Sequence, residues 1–139
     1  MSEEQPGLRM RMRSEAQRIA AQHARLDSFY GRVCSAIRGG VSEVASDAFA
    51  NYRDALESHF AVEERVFFPA LRGLRPELDT ELADLVQEHS RFRRSLRDLE
   101  RALASKQPDA GLERLEALAA ALAAHELREE KILATVNGR

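Results

Sequence analysis

The sequence predicts an all-α protein: an up-down-up-down four-helix bundle with short loops and an internal pseudo-twofold repeat. Its 139 residues are dominated by Ala, Leu, Arg and Glu, which are strong helix formers, and include only 7 Gly, 4 Pro and no Trp. Apolar residues recur at spacings of three and four between the breaks, as in amphipathic helices. Because the breaks are short, consecutive helices are expected to be antiparallel neighbours. We therefore expect a single domain over residues 1–139.

Glycine and proline mark the expected helix ends. The four helices are predicted at roughly residues 8–38, 42–72, 77–105 and 111–136. The breaks that separate and close them are Gly39-Gly40, Gly73 to Pro76, Ser105 to Gly111 and Asn137-Gly138. Pro69 lies close to the end of the second helix, where we expect it to kink or terminate that helix.

All four histidines belong to two copies of one pattern. In the first copy, His23 is followed 36 residues later by His59, and Glu63 comes four residues after that. The second copy, 66 residues further along the chain, consists of His89, His125 and Glu129. Several neighbouring residues are also similar under this shift, for example Gln22 and Glu88, and Arg25 and Arg91. Ligand-type residues that repeat in register predict one symmetric metal site.

Helix geometry places these six side chains together. Counted from the turns, all four histidines fall near the middle of the bundle, and each glutamate lies on the same face as its histidine, one turn along. Burying them without a partner would cost several kcal/mol. Imidazole nitrogen with carboxylate oxygen suits iron or manganese, whereas a structural zinc site is usually rich in cysteine. The two glutamates could bridge two ions, leaving two histidines and open positions on each.

The order His, His-x3-Glu, His, His-x3-Glu on four consecutive helices resembles the hemerythrin-like family of non-haem di-iron bundles, also called HHE domains. The resemblance implies a cofactor of two iron ions joined by an oxo or hydroxo bridge, in preference to manganese or zinc. It implies that the histidines bind iron terminally and that the glutamates bridge the two irons. The implied metal ligands are His23, His59, Glu63, His89, His125 and Glu129.

The chain departs from the oxygen-carrying members of that family at two places. On the third helix those proteins have a second histidine four residues after the first, where this chain has Arg93. They also bridge with an aspartate five residues after the last histidine, where this chain has Glu130. The fifth histidine of the carriers is therefore absent, which favours the sensing or iron-handling branches over reversible oxygen transport.

Two questions about individual residues stay open at this point. Glu64 and Glu130 are alternative registers for the bridging glutamates, but adjacent helix positions differ by about 100°, so only one of each pair can face the centre. We expect these two to face solvent or to support the ligands. Asp27 and Arg93 occupy matching places one turn after a histidine, so they either pair beside the metals or are ordinary surface charges.

The sequence favours a binding or sensing function. We expect the centre to bind or sense oxygen, nitric oxide, peroxide or iron. One alternative is a small di-iron enzyme that consumes peroxide or oxygen, and another is a metal-free helical interaction module. The enzyme is less favoured because the chain shows no convincing acid or base beyond the ligands and no second domain to hold a substrate.

Charge and hydropathy limit the partners. The net charge of −2 comes from 21 basic and 23 acidic residues interspersed along the chain, so we expect no nucleic-acid partner. The longest apolar run, Ala117 to Ala124, is too short to span a membrane. A cytoplasmic location is expected, and the single Cys34 agrees with a reducing compartment. The sequence leaves the formation of a homodimer open.

Overall fold

The protein is a helical bundle. A computed structural model describes residues 6–137, with residues 6–9, 11 and 137 described by their backbone alone. Every regular element in this range is helical. The α-helices are α1 (Pro6–Gly39), α2 (Ser42–Val62), α3 (Phe68–Leu74), α4 (Asp79–Ala104) and α5 (Pro108–Asn137). Two shorter elements are a π-helical turn, Glu63–Phe67, and a 3-10 turn, Pro76–Leu78.

The second long helix of the bundle changes its winding beside Pro69. Helix α2, the π turn and α3 are contiguous and form one helical run, so the proline does not terminate this helix. A proline has no N–H to bond the carbonyl four residues earlier. The run passes this point through the π turn, where the Phe68 N–H donates to the Glu63 carbonyl five residues back.

The connections between the long helices are short. Gly40 has a φ of +80°, a left-handed conformation that suits glycine, and its N–H donates to the Ile37 carbonyl to end α1. Helix α1 packs against α2 and α5, and α4 packs against the same two helices. Among residues 6–137, no helix is both long enough and apolar enough to cross a membrane.

Two apolar clusters fill the core on either side of a polar layer. The first cluster, which we call the turn-side core, includes Leu26, Leu56, Phe60, Phe92 and Leu122. The second, which we call the π-side core, includes Ile19, Phe67, Phe68, Leu85 and Ile132. On each long helix the histidine lies between residues of the two clusters. The histidines therefore occupy one layer across the middle of the bundle.

Candidate metal centre

The middle layer contains six buried polar side chains. They are His23, His59, Glu63, His89, His125 and Glu129, and their relative exposures range from 0 to 9%. Wherever side chains are described, no other charged residue is buried to this degree. The structure thus brings together all six residues that the doubled sequence pattern singled out.

Glu63 lies between two histidines from different parts of the bundle. Its Oε2 is 3.3 Å from Nε2 of His59, and its Oε1 is 2.9 Å from Nε2 of His89. The same Oε1 is 3.8 Å from Nε2 of His125. The carboxylate therefore directs one oxygen towards α2 and the other towards α4 and α5.

Glu129 has the complementary position. Its Oε1 is 3.4 Å from Nε2 of His23, and its Oε2 is 2.9 Å from Nε2 of His125. The ligand-type atoms consequently form two groups, within each of which they lie no more than 4.8 Å apart. One group is His23, His59, Glu63 and Glu129, and the other is Glu63, His89, His125 and Glu129.

Most of the atoms that face the centre have no hydrogen-bond partner, because the short contacts between them lack the angles of a hydrogen bond. These buried atoms are Nε2 of His23, His59 and His125, Oε2 of Glu63, and both carboxylate oxygens of Glu129. A buried polar atom without a partner costs about 1 to 3 kcal/mol. Cations placed among these nitrogen and oxygen donors would remove that cost. The residues present therefore fit a bound metal ion in each group.

The electrostatics of the protein side chains also favour cations. Burial and the neighbouring carboxylate of Glu129 raise the pKa of Glu63 well above its ordinary value. Burial lowers the pKa of His59 to about 3, so this imidazole is neutral. Burial would lower the pKa of His125 as well, but its contacts with Glu129 and Glu63 outweigh that effect and raise it to about 10. Two facing carboxylates cannot both be charged here unless positive charge lies between them.

Three of the four histidines are oriented by a hydrogen bond from the ring nitrogen that faces away from the centre. The Nδ1 of His59 lies 2.6 Å from the side-chain oxygen of Gln22. The corresponding distances are 2.6 Å from His89 to Glu64 and 2.6 Å from His125 to Glu88. In each case Nδ1–H donates and Nε2 faces the centre, where a bound cation would take the place of a proton on it. For His23 the nearest such group is Glu126, at 4.0 Å, which is too long for a hydrogen bond.

The orienting residues were only partly predictable. The sequence allows Glu64 and Glu130 either to face solvent or to support a ligand; Glu64 supports His89, while Glu130 is exposed. Gln22 and Glu88 appeared in the sequence only as a similar pair within the repeat. That pairing was a usable signal, since each precedes a histidine of the pattern. Glu126 had no such signal, because the residue 66 positions earlier is Phe60.

The side chain of Arg93 pairs with glutamates of α2 and the π turn. Its Nε donates to Glu57 at 2.9 Å and its Nη1 to Glu64 at 3.3 Å. The hypothesis that it pairs with Asp27 beside the metals is therefore wrong. Asp27 lies on α1, which packs mainly against α2 and α5, and its side chain is exposed.

A small cavity lies next to the His23 side of the centre. Its volume is about 130 Å³, and its walls include Tyr30, Tyr52 and Glu126. Leu26, one turn after His23, also lines it. The rings of the two tyrosines are 6.3 Å apart between centroids. The cavity is large enough for a molecule of a few atoms, and it lies close to the layer of six buried polar side chains.

The family model of the Hemerythrin HHE cation binding domain matches residues 14–136. The chain belongs to this family. The match contains the whole histidine and glutamate pattern, so the family resemblance of the sequence is confirmed. Neither the curated proteins nor the solved structures gave a significant match to this HHE domain.

Proposed function

We propose that this HHE domain binds two iron ions and uses them to bind or sense a small molecule. In this proposal one iron is held by His23 and His59, the other by His89 and His125, and Glu63 and Glu129 bridge them. The single observation that supports it best is the pair of overlapping four-residue groups that share both glutamates.

The arrangement of the helices supports this doubling of the site. We propose an up-down-up-down bundle in which the two halves are related by a pseudo-twofold axis between the bridging glutamates. The offset of 66 residues and the packing of α1 and α4 each against α2 and α5 support that symmetry. Related halves would supply equivalent ligands to the two irons.

The donor set favours iron over the other metals. Two imidazoles and shared carboxylates are hard to intermediate donors, and the described ligand layer contains no thiolate. When bound, two irons with unfilled positions supply a redox change and a place for oxygen, nitric oxide or peroxide. The protein orients each imidazole through Nδ1, keeps water out with its apolar cores, and leaves the cavity beside Tyr30 and Tyr52 for a small molecule.

Metal analysis of wild type and one ligand variant tests the iron site. Protein purified with ferrous iron without oxygen should carry close to two irons per chain, and Glu63→Ala should lose most of them because a shared ligand is removed. The matched control is Glu130→Ala, an exposed glutamate beside Glu129, which should keep both irons. Circular dichroism verifies that both variants stay helical. Equal iron in Glu63→Ala and wild type would contradict the assignment.

The sensing function needs a separate experiment. Oxygen, nitric oxide or peroxide added to the di-iron protein should change its visible charge-transfer absorption at one equivalent per chain. Stable binding without consumption of the added molecule supports a binding or sensing protein. Catalytic loss of peroxide at a rate above that of free iron would instead place the domain among the di-iron enzymes.

A further inference from the structure

We propose that the two metal positions are unequal, and that the one between His89 and His125 fills first and binds more tightly. The inference rests on the proposed function, since it concerns the order in which that centre is loaded. We call the two places the His89/His125 position and the His23/His59 position. The sequence repeat alone would make them equivalent, so the inequality comes from the residues around the ligands.

Both histidines of the His89/His125 position donate to a carboxylate. Glu64 accepts from Nδ1 of His89 at 2.6 Å, and Glu88 accepts from Nδ1 of His125 at 2.6 Å. A carboxylate that accepts a hydrogen bond from Nδ1–H raises the electron density on the ring. The Nε2 atom therefore becomes a stronger donor to a cation. Two such contacts act on the same metal position.

The His23/His59 position has a weaker set of partners. His59 donates to the neutral amide oxygen of Gln22 at 2.6 Å, and the nearest carboxylate to Nδ1 of His23 is Glu126 at 4.0 Å. Gln22 and Glu88 are 66 residues apart and therefore occupy equivalent places in the repeat. At this pair of positions, the first half of the chain has a neutral amide where the second half has a carboxylate.

Arginines fix the carboxylates of the His89/His125 position. Nη1 of Arg128 donates to Glu88 at 2.7 Å, and Nη1 of Arg93 donates to Glu64 at 3.3 Å. The equivalent residues of the other half are Val62 and Asp27, neither of which can donate in this way. The arginines hold both glutamate side chains in place, oriented towards the imidazoles.

Aromatic rings shield the same position from water. Phe60 is stacked on His89 with centroids 4.3 Å apart, and the ring of Phe92 is 5.2 Å from that of His125. Their equivalents in the other half are Glu126 and Leu26, and both line the cavity. Exclusion of water strengthens the charge interactions of the His89/His125 position.

Cobalt(II) titration of the metal-free protein tests the order of binding. Calorimetry and visible absorption should show two steps of one equivalent each, with dissociation constants at least about tenfold apart, since partners of metal-bound histidines typically change affinity 10- to 100-fold. Glu88→Gln should weaken the first step, and Gln22→Glu should strengthen the second. The exposed Glu130→Gln is the control and should leave both steps unchanged.

Ligand variants identify which position fills first. His59→Ala should remove the weak step and keep the tight one, whereas His125→Ala should remove the tight one. Two equal steps in wild type, or loss of the tight step in His59→Ala alone, would overturn this inference while leaving a two-metal centre intact. Absence of any stoichiometric metal binding in wild type would instead overturn the proposed function.

Discussion

Adjacent glutamates have different environments at two places in the centre. The side chain of Glu63 is fully buried, whereas that of Glu64 is 26% exposed and lies outside His89. On α5, Glu129 is buried and Glu130 is exposed. A shift of one residue therefore decides whether a carboxylate faces the buried layer or lies outside it, where Glu64 orients His89 and Glu130 faces solvent.

A glutamine at position 63 should stabilise the metal-free protein. Glu63→Gln keeps the shape of the side chain but removes a carboxyl group that is buried beside Glu129. We expect the free energy of unfolding without metal to rise on the order of 1 kcal/mol, measured by urea denaturation in chelator. The exposed Glu130→Gln should change it by less than about 0.5 kcal/mol. A less stable Glu63→Gln protein would show that the buried carboxyl group stabilises the metal-free fold.

Removal of Glu64 should weaken metal binding without removing a ligand. Glu64→Ala deletes the acceptor of His89 Nδ1 and leaves Arg93 with one carboxylate partner, Glu57. We expect total cobalt affinity to fall about tenfold while two ions still bind. Its counterpart in the repeat, Glu130→Ala, should have no effect because that side chain is exposed. Similar affinities for the two variants would mean that Glu64 has no part in orienting His89.

At the scale of elements, the π turn is the feature that breaks the repeat. It begins at Glu63 and is followed by Pro69, while the matching stretch of α5 is regular α-helix. A π turn winds more loosely than an α-helix, so Glu64 stays closer to the inward face than Glu130 does. Beyond the turn, the buried side chains of Phe67 and Phe68 pack in the π-side core and anchor the helix there.

Replacement of Pro69 should act on the centre through this turn. Pro69→Ala restores an N–H that can donate to the carbonyl of Arg65, so it favours regular α winding and moves Glu64 away from His89. We expect helix content to stay the same and cobalt affinity to fall about tenfold. Pro108→Ala is the control, because this proline begins α5, where its N–H would have no helical acceptor. Unchanged affinity in Pro69→Ala would show that packing alone maintains the π turn.

Across the whole molecule, the helical spacing of the apolar residues made the helical bundle predictable. The doubled pattern of histidines and glutamates made the six central residues predictable. The π turn was not, because Pro69 alone signals only a disturbed helix and packing decides whether the run ends. The orienting contacts were harder still. Glu88 meets His125, and Arg128 meets Glu88, only after α4 and α5 pack together. These partners are 37 and 40 residues apart in the chain, so the local sequence does not indicate that they will be in contact.

Metal should stabilise the entire bundle because the ligand layer joins all four long helices. A cation at 100 times its dissociation constant adds about 2.7 kcal/mol to folding. For a domain of this size we expect the melting temperature to rise by roughly 10 °C, measured by calorimetry with ferrous iron under anaerobic conditions. A chelator should reverse the shift, and Glu63→Ala should show little of it. Equal melting temperatures with and without iron would contradict a folded-state metal site.

The two buried glutamates come from opposite halves of the chain, Glu63 before the α3–α4 connection and Glu129 after it. Each of the two candidate ligand groups contains both histidines of one half together with the glutamate of the other half. Bound cations would thus act as a non-covalent cross-link between the two halves. If the chain is cleaved near Arg75, the two fragments should stay associated while metal is bound and should separate more readily once a chelator removes the metal.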